Sequence, residues 1–171
     1  MIFVDWLKQV LGCREEELLE EVKTLNERIK DLKGMIDSGD TIDAPIPLDI
    51  IKIADLRSLL SLYCGNIYLS DTIYGLTSME EAKKFSIETK IAARQWIKEQ
   101  HDCDEFSFAL MGYWNVGLKQ FAFGIAWSNS HAFNIMVDEK KQIWIIEPQT
   151  NKFIKIEEAG SPYIPLRVVM I

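Results

Sequence analysis

The chain has 171 residues, of which 48% are hydrophobic and 26% are charged. This composition excludes a disordered chain and predicts one globular domain with a short appendage. The formal net charge is -7 and no Lys/Arg cluster interleaves with aromatic residues, so we expect no nucleic-acid partner. The apolar opening MIFVDWLKQVLG contains Asp5 and Lys8 and is too short to cross a bilayer. We therefore expect a cytoplasmic protein with no membrane partner.

The first predicted element is an amphipathic helix over residues 14–36. Apolar residues recur there as an a/d heptad seam from Leu18 to Ile36, and charged residues occupy most other positions. Two interpretations remain open: the helix packs on its own chain, or it forms a coiled coil. The coiled coil predicts a homo-oligomer through Leu18–Ile36.

A linker follows this helix. Gly34, Gly39 and the segment DAPIP at 43–47 interrupt the helical pattern. They predict an N-terminal helical segment over residues 1–40 and a second domain over residues 48–171.

The second domain begins with helical patterns and continues with strand patterns. We predict a helix over 48–64, a turn at DTIYGL, and a helix that starts at the capping box Ser78–Glu81 and runs towards Gln100. The later segments FAFGIAW, HAFNIMV, QIWIIE and KFIKIEE predict antiparallel strands. Helices followed by strands indicate an α+β fold, with a helical N-terminal half followed by an antiparallel sheet.

Cys103 is the candidate nucleophile. Asp102 and Glu105 have the spacing of a capping box, which places Cys103 at the first helical position. Unpaired backbone N–H groups and the helix dipole favour a thiolate there. The carboxylates of Asp102, Asp104 and Glu105 oppose it. A base or a bound cation would decide between these effects.

His131 is the better candidate base. His101 lies too close to Cys103 in sequence to face it at a helix start, whereas His131 begins a separate strand. The alternative is structural, with Cys103 as a small buried residue and His131 as a hydrogen-bonded one. We expect Cys13 and Cys64 to be buried residues without chemistry.

The blocks CDEFSFAL, HAFNIMV and IIEPQTNK together resemble the papain-like C-terminal domain of fungal agglutinins and related phage and prokaryotic proteins. The resemblance covers residues 100–153. In that family a Cys, a His and a Glu in this order form a cysteine-protease site. Carried over by position, these are Cys103, His131 and Glu147, and Asn134 and Gln149 match accompanying motif residues.

The resemblance implies a papain-like fold and a cysteine hydrolase that acts on peptide or isopeptide bonds of a peptide or protein substrate. Cys103 would attack the carbonyl, His131 would carry the proton, and Glu147 or Gln149 would fix the imidazole tautomer. Two alternatives are a catalytically inactive papain-like interaction protein that oligomerises through its N-terminal helix, and a transglutaminase-like acyl transferase.

The resemblance also implies calcium, although the sequence itself requires no cofactor. A calcium ion bound to Asp102, Asp104 and Glu105 would cancel their repulsion of a thiolate. The alternative role of these acids is to cap the helix.

Strand parity decides which residue can orient His131. Side chains alternate between the two faces of a strand, so an odd hairpin loop over 139–141 pairs Val137 with Ile143 and places Glu147 and Gln149 on the His131 face. An even loop over 138–141 turns Glu147 to the other face. A Cys103-His131-Glu147 site therefore predicts the odd loop, or a bulge near Pro148.

Overall fold

The computed structural model describes residues 22–24, 45–98, 102–115 and 120–171. Contacts divide the chain into two units, Met1–Thr41 and Ile42–Ile171. In the first unit, residues 22–24 are helical and Val22 is exposed. The remainder of the heptad seam, and with it the predicted coiled coil and interface, lies outside the described residues, as does His101.

The second unit opens with a small two-stranded sheet and two helices. In chain order the elements are β1 (Asp49–Lys52), α1 (Ile53–Leu60), β2 (Ile67–Tyr68), β3 (Ile73–Leu76) and α2 (Met79–Glu88). β1 and β3 pair in antiparallel register, with Ile51 opposite Tyr74. A 3-10 turn at Ile91–Ala93 follows α2.

Three predictions for this half need correction. The segment 48–64 is a strand before it is a helix, because its Ile-rich start pairs with β3, and DTIYGL contains that strand rather than only a turn. The hydroxyl of Ser78 caps α2 as predicted, accepting from the Glu81 N–H at 3.1 Å. α2 nevertheless ends at Glu88, because Lys90 has a φ of 56° and takes the chain out of the helical conformation.

The rest of the unit is α3 (Cys103–Trp114) followed mainly by strands. These are β4 (Phe123–Trp127), β5 (Ala132–Val137), β6 (Ile143–Glu147), β7 (Lys152–Lys155) and β8 (Val168–Met170). Together with β2 they form a six-stranded sheet in the order β2-β8-β4-β5-β6-β7, in which the β2/β8 pair is parallel and the other pairs are antiparallel. The predicted α+β class is confirmed, and so are the four predicted strands.

Alternate side chains of β5 belong to two different packing clusters. Phe133, Ile135 and Val137 join the cluster that contains α1 residues, whereas Met136 joins the cluster built on α2 and α3. In the second cluster, Trp114 of α3 stacks on Phe123 of β4 with ring centroids 4.5 Å apart. The sheet therefore separates two apolar layers, and α3 is anchored to one of its faces.

None of the helices in the described ranges has the length and apolar character needed to cross a membrane.

Gly124 of β4 provides a test of this packing. A Cβ atom at this position would overlap the carbonyl oxygen of Met170 in β8, whereas one at Gly112 of α3 would meet no neighbouring atom within 4 Å. We expect Gly124→Ala to lower the free energy of unfolding by about 1–3 kcal/mol or more. Gly112→Ala should raise it by about 0.5–1 kcal/mol, because alanine favours a helix. Urea denaturation measures both, and equal effects would contradict the packing.

Candidate functional site

Cys103 begins α3, as the capping-box spacing predicts. The backbone N–H of Asp102 donates to Oε2 of Glu105 at 3.0 Å, and the reciprocal contact from the Asp102 side chain completes the box. Cys103 is half-buried and its thiol is free. The local sequence thus places the sulfur where the backbone N–H groups of a helix start are available.

Opposing influences act on the Cys103 thiol. Burial is the largest and raises its pKa, and the charges of Asp102 and Asp104 raise it further. The backbone N–H of Ala132 lowers the pKa by hydrogen bonding to the sulfur. This N–H belongs to the peptide that joins His131 to Ala132, the first residue of β5, so the sulfur lies next to the start of that strand.

The acids next to Cys103 interact with one another, and the contacts shift their pKa values in opposite directions. The hydrogen bond with Asp102 is the main cause that raises the pKa of Asp104 to about 6. The backbone N–H of Asp102 is the main cause that lowers the pKa of Glu105, which is committed to the capping box. Ligand atoms of Asp102, Cys103 and Asp104 lie within 4.8 Å of one another. Of the three predicted calcium ligands, this group contains Asp102 and Asp104. Its third member is the sulfur of Cys103 and not the carboxylate of Glu105.

His131 and Glu147 form a short side-chain pair. Nε2 of His131 lies 2.6 Å from Oε2 of Glu147, and the two side chains are only 16% and 10% exposed. The backbone of His131 is fixed by Ser128, whose hydroxyl accepts its N–H at 3.1 Å. With Nε2 directed at the carboxylate, Nδ1 is the ring nitrogen left for another partner.

The pairing of β5 with β6 explains why Glu147 reaches His131. Val137 pairs with Ile143, and Asp138 N–H donates to the Gln142 carbonyl, so the loop is 139–141. This is the odd loop that a Cys103-His131-Glu147 site requires. Gln149 contributes its backbone N–H, which donates to Oε1 of Glu147 at 3.4 Å.

Tyr163 is a residue of this site that the sequence reasoning missed. Its hydroxyl donates to Oε2 of Glu147 at 3.3 Å. Its ring lies 5.7 Å from the His131 ring and 5.2 Å from that of Phe133. The only hint in the sequence is an aromatic residue between two prolines, Pro162 and Pro165, which identifies no partner.

Asn134 connects the sheet to the helix that carries Cys103. Its side-chain amide donates to the Ser107 carbonyl at 2.9 Å and to the Gly124 carbonyl at 3.0 Å. The Ser107 hydroxyl in turn donates to the Cys103 carbonyl at 2.7 Å. Asn134 is fully buried. Its amide therefore joins α3 to β4 and β5, and its role is to place the helix.

A cleft of about 290 Å³, called the second cleft here because Cys103 does not line it, is lined in part by Glu80, Asp138, Lys140 and Trp144. The indole N–H of Trp144 donates to Oδ2 of Asp138 at 2.8 Å. Nζ of Lys155 lies 5.7 Å from the centre of the indole ring. The cleft thus combines a fixed aromatic ring with charged groups of both signs.

This chain resembles several solved structures in fold, including the two that follow. One is a PSL1a-E64 complex, with a TM-score of 0.56 and 19% identity over 71% of this chain and 50% of its own. The other is Polyporus squamosus lectin bound to the epitope Neu5Aca2-6Galb1-4GlcNAc, with a TM-score of 0.58 and 20% identity over 71% of this chain and 49% of its own. The chain therefore spans about half the length of the structures it matches. No family model matches, and a search of curated proteins gives no match.

These comparisons contradict the predicted membership in the papain-like cysteine-protease family, and we correct it. The matching structures are a lectin with a glycan epitope and a PSL1a complex, and neither is described as a protease. The prediction of a cysteine hydrolase for peptide or isopeptide bonds is contradicted as well, and neither of its alternatives gains support. The physical reason is that three separated residues in one order constrain side-chain placement but do not specify a reaction.

The raised pKa of Asp104 predicts a pH-dependent stability. The folded pKa of about 6 exceeds the ordinary 3.8, so folding favours the protonated carboxyl. That contribution is fully present below about pH 4 and is lost as the pH rises through 6. Asp104→Asn should therefore stabilise the protein more near pH 8 than near pH 4, measured as the shift in melting temperature.

The matched control for this experiment is Asp55→Asn, which removes a carboxylate from the first turn of α1. This variant measures the effect on the melting temperature of losing a carboxylate that interacts favourably with a helix dipole. An Asp104→Asn effect that does not change between the two pH values would contradict the raised pKa.

Proposed function

We propose that the second unit contains a nucleophilic thiol site in which Cys103 forms a covalent bond with an electrophilic ligand. His131 accepts the thiol proton and Glu147 orients the imidazole. The observation that carries it is the contact of 2.6 Å between His131 Nε2 and Glu147 Oε2 beside the Cys103 helix start.

The hydrogen-bond partners of these side chains support this assignment. A carboxylate on Nε2 favours the tautomer with the proton on Nε2, which leaves the Nδ1 lone pair to accept the thiol proton. The resulting imidazolium is stabilised by Glu147, and the thiolate by the Ala132 N–H. These two contacts oppose the effects of burial and of the acids at 102 and 104 on the thiol.

The step balances with iodoacetamide as the electrophile. The Cys103 Sγ–H proton moves to Nδ1 of His131, a bond forms between Sγ and the methylene carbon, and the carbon–iodine bond breaks with loss of iodide. With an epoxide the carbon–oxygen bond opens instead, and the proton returns to the oxygen.

Labelling with iodoacetamide tests the thiol. We expect Cys103 to react much faster than Cys64, which is 3% exposed and whose sulfur donates to the Asn66 carbonyl. Cys13 serves as the further comparison. Mass spectrometry of peptides from the native protein gives the three rates, and equal or slower labelling of Cys103 would refute the proposal.

Variants then assign the roles around the thiol. His131→Ala should slow labelling of Cys103. Glu147→Gln should do so by about tenfold, because an amide oxygen can still accept from Nε2 but carries no charge to stabilise the imidazolium. If Gln149→Ala slows the reaction and Glu147→Gln does not, the orienting residue is Gln149. E64, which is named in the PSL1a complex, is a second probe, with Cys103→Ala as the blank.

Calcium is proposed as a modulator of the same thiol. An ion on Asp102 and Asp104 would offset the two charges that raise the thiol pKa. Labelling of Cys103 should then be faster in calcium than in EDTA, and Asp104→Asn should abolish the difference.

Glycan binding at the second cleft is a second candidate function, favoured by the glycan epitope bound to the lectin of similar fold. Trp144 offers a ring that Asp138 holds in one orientation, and Lys140 has a side chain that is 76% exposed. An aromatic ring with a few placed polar groups is the usual composition of a small-molecule site. The cation also suits the carboxylate of a sialylated glycan.

Ligand-detected NMR with Neu5Aca2-6Galb1-4GlcNAc tests this candidate. We expect the protein to bind this epitope and to bind the neutral disaccharide Galb1-4GlcNAc more weakly. The Trp144→Leu variant should bind neither. Trp96→Leu, which replaces a tryptophan that is 52% exposed elsewhere, is the matched control and should leave binding unchanged. Binding that survives Trp144→Leu would remove the cleft from consideration, and no binding at millimolar glycan would reject the candidate.

A further inference from the structure

One oxygen atom of Glu147 has two partners. Oε2 lies 2.6 Å from Nε2 of His131 and also accepts from the Tyr163 hydroxyl at 3.3 Å. The other oxygen, Oε1, accepts from the Gln149 N–H in a longer contact of 3.4 Å. Because the last torsion of a Glu side chain is broad and has little preference of its own, the partners of Oε2 determine where the carboxylate points.

Packing fixes the Tyr163 side chain in turn. Its ring meets Phe133 edge-on, at 5.2 Å and 88°, and lies tilted over His131 at 5.7 Å and 60°. Phe133 is itself fully buried. The phenol thus covers the His131–Glu147 pair, and its hydroxyl has a defined direction towards the carboxylate.

The hydroxyl also keeps its proton. Burial first, and then the negative charge of Glu147, raise the pKa of Tyr163 to about 12. The phenol is therefore a hydrogen-bond donor throughout the range in which a thiol and an imidazole exchange protons, and the charged carboxylate is its acceptor.

We propose that Tyr163 is a positioning residue that holds Oε2 of Glu147 against Nε2 of His131 and thereby leaves Nδ1 available to Cys103. The proposal rests on the proposed thiol function for its consequence, although the arrangement of Tyr163, Glu147 and His131 can be tested without any reaction. Tyr163 acts through Glu147 and needs no contact with the ligand.

The test removes the hydroxyl and keeps the ring, in Tyr163→Phe. The matched control is Tyr63→Phe, because the Tyr63 hydroxyl donates to another carboxylate, Oε1 of Glu157, at 3.1 Å. Both variants lose one tyrosine–glutamate hydrogen bond, and urea denaturation confirms that both remain folded. Only Tyr163→Phe should alter the site.

The first readout is the tautomer of the neutral His131 ring, measured by ¹⁵N NMR. The chain has 2 histidines, so a His101→Gln background leaves one ring to observe. We expect Tyr163→Phe to lower the population with the proton on Nε2, and Tyr63→Phe to leave it unchanged. An unchanged tautomer in Tyr163→Phe would overturn the proposal, whatever the reactivity of the thiol.

The second readout is a double-mutant cycle on the rate of Cys103 labelling, at one pH and in EDTA. Tyr163→Phe should slow labelling by about threefold to tenfold, the effect of losing one hydrogen bond of ordinary strength, because the contact of 3.3 Å is long. Combined with Glu147→Gln, it should slow labelling no further, because its effect passes through Glu147. Effects that multiply in the double variant would overturn the positioning role. Slow Cys103 labelling in the unmodified protein would instead refute the thiol function, and the tautomer would still decide the role of Tyr163.

Discussion

The candidate site depends on the register between β5 and β6. Val137 pairs with Ile143, and the carboxylate of Asp138 holds the turn between them by accepting the backbone N–H groups of Lys140 and Gln142 at 2.9 and 2.8 Å. A strand displaced by one residue would turn every side chain to the opposite face. Glu147 would then leave the His131 face, and Tyr163 would lose its acceptor. A turn several residues from the imidazole thus determines whether the site exists.

The second requirement is a fixed position for the helix that carries Cys103. α3 is held by the stacking of Trp114 on Phe123 at one end and, nearer the thiol, by the Asn134 amide on the Ser107 carbonyl. Gly124 has no side chain, which allows β4 to lie close to the Met170 carbonyl of β8 in the sheet on which α3 packs. Apolar packing therefore holds α3 on the face of the sheet. Buried hydrogen bonds fix the position of its first residue, Cys103, relative to β5.

Local sequence predicted the parts of this arrangement that depend on local rules. The spacing of Asp102 and Glu105 predicted the start of α3. Alternation along β5 and β6 left two loops open, and only the hypothesis of a Cys103-His131-Glu147 site selected the one that places Glu147 on the His131 face. The strand at 49–52 was missed because its pairing with β3 is a tertiary contact that overrides the helical pattern. Tyr163 was missed because its contact with Glu147 is brought about by a loop without periodicity. The family resemblance predicted an activity that the comparisons contradict. The order of three residues along a chain does not by itself specify a reaction.

The two oxygens of Asp138 serve different parts of the molecule. Oδ1 organises the turn that aligns Glu147 with His131, and Oδ2 accepts the indole N–H of Trp144 in the second cleft. A substitution at this one position would be pleiotropic, altering both candidate sites at once. Genetic loss of function at Asp138 therefore could not be assigned to either site, and natural selection on one of them would constrain the sequence available to the other.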